Sequence, residues 1–140
     1  MTEQGRILGV DLGFKRTGLA VSDERWITTR ALPNLSPQSR AKDIEYLIQL
    51  CDEMDIQTVL IGYPVLPQSG DEGPMAKRAR GFYEALCKAT PPTLSVFLIE
   101  ETYTSKEAAS RLGAKKDALK LLDGESARIL IETFIHAQNH

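Results

Sequence analysis

Four carboxylates stand where an active site of an open α/β sheet would need them. Asp11 closes a short apolar run, RILGVDL (6–12), just ahead of Gly13. Glu100 and Glu101 follow a second run at 93–100, TLSVFLIE. Asp123 precedes Gly124 and an apolar-periodic segment with Ala127, Leu130, Ile131 and Phe134. Sites in such sheets lie beyond the carboxyl ends of strands. Clustered carboxylates repel one another unless a cation lies between them. Mg²⁺ or Mn²⁺ suits the role, because hard cations take oxygen ligands and share them with substrate phosphate. Each acid also has a plainer role: Asp11 as a turn former, the Glu pair as a solvated strand exit, Asp123 as a helix N-cap. Alternation puts Glu100 and Glu101 on opposite faces, so only one of them joins a site. Gly9 shares a side of the strand with Asp11 and carries no side chain.

The supply of other chemistry is short. The chain has two histidines, His136 and His140, and two cysteines, Cys51 and Cys87. That nearly excludes a Ser-His-Asp triad, a Cys-His dyad and a Cys/His zinc site. Two separate cysteines in an ordinary composition fit a reducing, cytoplasmic setting, and both read as core thiols on helical stripes. No apolar run is long enough to cross a membrane.

The bases are unevenly spread. Seventeen Lys and Arg against nineteen Asp and Glu exclude a histone-like binder. Yet residues 77–88 hold Lys77, Arg78, Arg80 and Lys88 against Glu84 alone, and residues 106–120 hold five bases against two acids. Such segments, Lys77 and Arg80 among them, could grip a phosphate backbone. Lys15 and Arg16, directly after Asp11, are better placed than either segment to do so.

The elements that must position these groups follow from pattern. Residues 6–12, 17–23 and 26–32 read as three closely spaced strands of an antiparallel meander. Ser36-Pro37 reads as a helix start, followed by a stripe of Ile44, Leu47, Ile48, Cys51 and Met54. A buried strand at 56–62, a loop at 65–73, a helix from Pro74 and a strand at 93–100 come next. Thr104 and Glu107 suggest a capping box for a short helix, and Asp123 opens the last one. Helices between the later strands favour parallel pairing. The expectation is an α/β chain, 140 residues in one domain, with a mixed five-stranded sheet flanked by helices. The ribonuclease-H-like arrangement is one such fold.

Four segments, in order, resemble the YqgF-type nucleases, pre-16S rRNA processing enzymes related to Holliday junction resolvases. They are GVDLGFKRTGLAVSD, IGYPVLPQSGDEGPMAKRARGFYEAL, LIEETYTSKEAASRL and KKDALKLLDGESARILIETFI. The resemblance implies a ribonuclease-H-like fold and cleavage of nucleic acid with Mg²⁺ or Mn²⁺. Matched by position, it implies Asp11, Glu101 and Asp123 as the catalytic, metal-holding acids, and so favours Glu101 over Glu100. The pattern departs at Thr102, where the family usually has Arg, and at Glu125, an extra carboxylate that is either a surrogate ligand or a favourable charge at a helix N-terminus.

The reading that follows is a metal-dependent nuclease acting on RNA in 5′-end maturation of pre-16S rRNA. Lys15 and Arg16 would steady the phosphate, the loop 65–73 could cover the substrate, and the protein would be a monomer or weak homodimer. The alternatives are a resolvase-like endonuclease of branched DNA and a nucleic-acid-binding domain that does not cleave. Asp-x-Gly after a first strand also occurs in actin-like ATP-binding proteins, but those need two such domains.

Overall fold

A computed structural model describes residues 5–64, 73–101 and 118–138, with the backbone alone for Pro64, Glu100, Glu101 and residues 118–123. The element order is β1 (Arg6–Asp11), β2 (Thr17–Ser22), β3 (Thr29–Leu35), α1 (Arg40–Glu53), β4 (Ile56–Pro64), α2 (Pro74–Ala89), β5 (Ser95–Glu101) and α3 (Ala118–Gln138). The five strands form one sheet in the order β3-β2-β1-β4-β5. β1 pairs antiparallel with β2, and β2 antiparallel with β3. β4 lies parallel to β1, and β5 parallel to β4. This is the expected mixed sheet with an antiparallel meander at its start.

β1 is central and its apolar residues are buried on both faces, which is why it reads as a continuous run rather than an alternation. Leu8 and Val10 face one core with Leu19, Val59 and Ile61, covered by Ile44 and Leu47 of α1 and Ala79, Phe82 and Leu86 of α2. Ile7, on the opposite side, joins Ala20 and Leu60 beneath Ala127, Leu130 and Ile131 of α3. The helices therefore divide as α1 and α2 on one face and α3 on the other.

Several boundaries move from the sequence expectation. β3 begins at Thr29 rather than Trp26, because residues 23–28 form a turn organised by Asp23. It continues through Pro33, which an edge strand tolerates. α1 is capped by Ser39, not Ser36: the Lys42 amide donates to Ser39 Oγ at 3.2 Å, and Asp43 Oδ1 accepts from the Gln38 amide at 3.1 Å. α2 starts at Pro74 as expected, with Gly73 at its N-cap. α3 starts at Ala118, five residues before Asp123, so Asp123 is not its N-cap. The short helix expected near Thr104 lies outside the described residues, as do residues 65–72 of the expected covering loop.

Cys51 is buried as expected, and burial pushes its thiol up to about 12. Cys87 is exposed instead: the buried stripe of α2 runs Ala79, Phe82, Leu86, and Cys87 sits one residue off it. Among the described residues, no helix is long and apolar enough to cross a membrane.

Candidate active site

Asp11 ends β1 on the face that α3 covers. On that face its neighbours in the sheet are Gly18 across on β2 and Gly62 across on β4. Gly9 precedes it by two residues and Gly13 follows by two. The four positions nearest a strand-end carboxylate thus bring backbone and no side chain. Glycine weakens strands, and its presence inside one marks a close approach of backbone or ligand. At Gly9 the approach is by α3: a Cβ there would lie 2.7 Å from the Ala127 carbonyl oxygen and 2.9 Å from Ile131 Cγ1. The room expected beside Asp11 at Gly9 is therefore filled by the helix. At Gly13 a Cβ would strike the Arg16 carbonyl oxygen, so glycine lets the turn after Asp11 close on itself. The Leu12 amide donates to the Gly62 carbonyl at 3.3 Å and extends the β1–β4 ladder past Asp11.

The register also relates the other acids to this corner. Gly62 pairs with Ile99 and Pro64 with Glu101 on β5. Ile99 packs with the α3 core, so by alternation position 101 belongs to the α3 face with Asp11. Position 100, paired with Tyr63 of the α1/α2 core, belongs to the other. Asp11 and position 101 are separated by two strand spacings, about 9.6 Å in the sheet direction. On α3, position 123 lies four residues before Ala127, just over one turn or about 6 Å along the axis. Ala127 sits over Gly9, and Gly124 packs beside Ala31 and Leu19. Asp11 is two residues past Gly9, about 6.6 Å along the strand. Position 123, next to Gly124, thus lies over the β2–β3 side of β1, and position 101 lies on β5 at the other side, with Asp11 on the central strand between them. Among the described residues no three His, Cys, Asp or Glu side chains form a metal cluster; the side chains of Glu101 and Asp123 lie outside the described set. A carboxylate at this strand end, with glycine opposite it on both neighbouring strands, is an oxygen donor of the type that Mg²⁺ or Mn²⁺ takes.

Glu125 departs from one expectation for it, a charge at the helix N-terminus. It lies inside α3 rather than at its N-terminus, it is buried, and its Oε2 accepts from Arg128 Nη1 at 2.9 Å. Arg128 Nε donates to Thr29 Oγ1 at 3.2 Å, and Thr29 Oγ1 donates to Glu132 Oε2 at 3.0 Å. This network ties α3 to the start of β3. Thr102 lies outside the described residues.

Lys15 and Arg16 are exposed in the turn after Asp11. Lys77 and Arg80 are exposed on the first two turns of α2. The turn and the helix meet at Phe14, whose ring centroid lies 6.0 Å from the Arg78 guanidinium carbon. Sequence reasoning missed Phe14 and Arg78 as a pair, and missed Gly18 and Gly62 as neighbours of Asp11. Glycine inside a strand was the one available signal for the latter.

Two meander hairpins, two parallel crossovers and a helix on the opposite face define a ribonuclease-H-like α/β protein of the kind found in resolvases. The chain is similar over 96% of its length to Thermus thermophilus RuvC, solved in complex with a Holliday junction substrate (TM-score 0.60, 13% identity, 96% of that chain). It is also similar to the fowlpox virus resolvase (TM-score 0.57, 13% identity, 95% of this chain and 98% of that one). The model of the RuvX family, described as Holliday junction resolvase, matches residues 5–137, and the chain belongs to that family. A curated relative from Anaeromyxobacter dehalogenans strain 2CP-C, named "Putative pre-16S rRNA nuclease", is 34% identical over 93% of this chain and 96% of its own. One of the same name from Sulfurihydrogenibium is 31% identical over 93% and 89%.

Proposed function

We propose that this protein is a divalent-metal-dependent nuclease that hydrolyses phosphodiester bonds of RNA in 5′-end maturation of pre-16S rRNA. The observation that carries the reading is Asp11 at the end of the central strand with glycine opposite it on both neighbouring strands, Gly18 and Gly62. Relatives at 31–34% identity bearing a pre-16S rRNA nuclease name support the substrate class. Asp11, Glu101 and Asp123 would hold Mg²⁺ or Mn²⁺. Such an ion supplies positive charge to the attacking and leaving oxygens of the displacement. The chain's own part is to fix the three carboxylates from separate elements and to keep sheet side chains out of the space the phosphate needs. Lys15 and Arg16 lie in the turn following Asp11 and would grip the phosphate; Lys77 and Arg80 on α2 would grip the flanking backbone. The whole chain would act as one nuclease domain, cytoplasmic, as a monomer or weak homodimer.

A second substrate, a four-way DNA junction, is favoured by the family's description as a resolvase. Incubating the protein with a pre-16S rRNA fragment and with a four-way junction, each with and without Mn²⁺, tests both. Metal-dependent cleavage of the RNA in preference to the junction is expected. Cleavage of the junction alone would replace the substrate. Binding without cleavage of either would leave a nucleic-acid-binding domain and overturn the proposal.

A further inference from the structure

Among the described residues, four large apolar side chains are strongly exposed: Phe14, Ile27, Tyr46 and Phe97. Phe97 packs on Phe134, with centroids 5.6 Å apart. Phe14 is different, because it stands three residues past Asp11, at the carboxyl end of the strands, and is 63% exposed. Its turn is anchored on both sides. Leu12 and Thr17 are buried, and the close approach of Gly13 to the Arg16 carbonyl holds the turn folded back. The ring is therefore presented by a short, pinned loop rather than a floppy one. Arg78 of α2 steadies it from one side, its guanidinium carbon 6.0 Å from the ring centroid, within the range of a cation–π contact. Arg78 Nη1 is buried and makes no hydrogen bond, so the guanidinium's described contact is with the ring. Lys15 and Arg16 follow immediately and are exposed. An apolar ring fixed in place between cations, beside a carboxylate corner, matches the recipe for single-stranded nucleic acid: a charged track for phosphates and a flat surface for bases.

We propose that Phe14 is a stacking platform for an unpaired nucleobase next to the phosphate engaged at the Asp11 corner, with Arg78 as the residue that positions the ring. The proposal rests on the nuclease reading and names a subsite within it. The ring lies on the α2 side of the sheet edge and Asp11 on the α3 side, so a strand crossing the edge would place a phosphate on one and a neighbouring base on the other. Stacking is tolerant of base identity, because every base has a π-face, so the subsite selects unpaired nucleotides rather than a sequence.

The test is binding of the full chain, with Ca²⁺ at the corner in place of Mg²⁺ or Mn²⁺, to single-stranded pre-16S rRNA fragments that each carry one abasic position, read by fluorescence anisotropy. Phe14→Ala is expected to weaken binding to intact RNA by about tenfold, within the range found for one stacked base, while Phe14→Trp retains it. One abasic position should weaken the wild type by a similar factor and Phe14→Ala hardly further. Arg78→Ala should lose part of the effect. Thermal melting should be nearly unchanged in Phe14→Ala, since the ring is exposed. Equal affinities for wild type and Phe14→Ala, or a loss of the same factor at every abasic position, would overturn the platform while leaving wild-type cleavage intact. A wild type that neither binds nor cuts nucleic acid would overturn the nuclease reading itself.

Discussion

The two turns of the opening meander use an aspartate in opposite ways. In the β2–β3 turn, Asp23 is built into the backbone. Its Oδ1 accepts from the Ile27 and Thr28 amides at 2.6 and 2.9 Å, and its Oδ2 from the Arg25 amide at 3.3 Å. Trp26, at φ 62°, donates from Nε1 to the Gly5 carbonyl at 2.7 Å and sets its ring edge-on to Phe134. The β1–β2 turn has its aspartate at the end of the strand before it, with glycine opposite on both neighbouring strands. Gly9, Gly13, Gly18 and Gly62 surround Asp11, and Phe14, Lys15 and Arg16 point charge and ring outward. An acid whose oxygens are spent on amide hydrogens closes a fold. Asp11 instead closes the central strand, at the carboxyl end where open sheets place their sites. The same residue type, 12 positions apart in one meander, is read correctly only from its surroundings.

The sharpest way to break this contrast is at the other acids of the Asp11 corner. Glu101→Gln and Asp123→Asn should each lower metal-dependent cleavage by about a hundredfold or more, given that residues merely supporting a metal ligand cost 10–100-fold. Glu100→Gln, on the opposite face by register, should lower it less than about threefold. A larger loss from Glu100→Gln than from Glu101→Gln would undo the assignment of faces.

Next in size is the glycine frame. Gly62→Val suits a strand but places a branched side chain between β1 and the end of β5. Turnover should fall by about tenfold or more, the loss expected when reacting groups are held off their geometry, with the far-ultraviolet circular dichroism retained. Full activity in Gly62→Val would mean that the glycine frame serves packing alone.

The closed turn should answer in stability and not in activity. Asp23→Ala should cost about 2 kcal/mol in urea unfolding, with cleavage unchanged. The pH dependence has a definite sign. Partial burial is the largest single influence on Asp23 and pushes its carboxyl up, but the amides of Thr28, Ile27 and Arg25 together hold it below its ordinary 3.8. A depressed folded value contributes stability that is present above 3.8 and lost as the pH falls through the folded value. Asp23→Asn should therefore flatten the acid limb of the stability profile. Trp26→Phe, which removes the bond to the Gly5 carbonyl and part of the ring packed on Phe134, should cost at least about 1 kcal/mol.

Much of this was legible in the sequence, and what was not has physical causes. Asp11 was visible because a doubly buried strand reads as an apolar run and stops at a turn glycine. The stripe Ala127, Leu130, Ile131, Phe134 gave the buried face of α3, because helical spacing alone decides it. The glycine frame was not visible: Gly18 and Gly62 reach Asp11 only through strand register, which no local pattern encodes. Trp26 was read into β3 because aromatic and β-branched residues favour strands, yet Asp23 captures the amides that a strand would have paired. Asp123 was read as an N-cap from its type, while α3 continues five residues further back. The pairing of Glu125 with Arg128 was likewise hidden, because the sequence did not show where α3 begins.

The central claim is that Asp11 stands at a metal-dependent catalytic corner. Its most direct test is single-turnover cleavage of a pre-16S rRNA fragment by wild type and Asp11→Asn across a Mn²⁺ titration. The account predicts cleavage by the wild type that rises with Mn²⁺ and saturates, and a loss of about a hundredfold or more in Asp11→Asn at every concentration. Cleavage by Asp11→Asn at the wild-type rate and with the same Mn²⁺ dependence would contradict it.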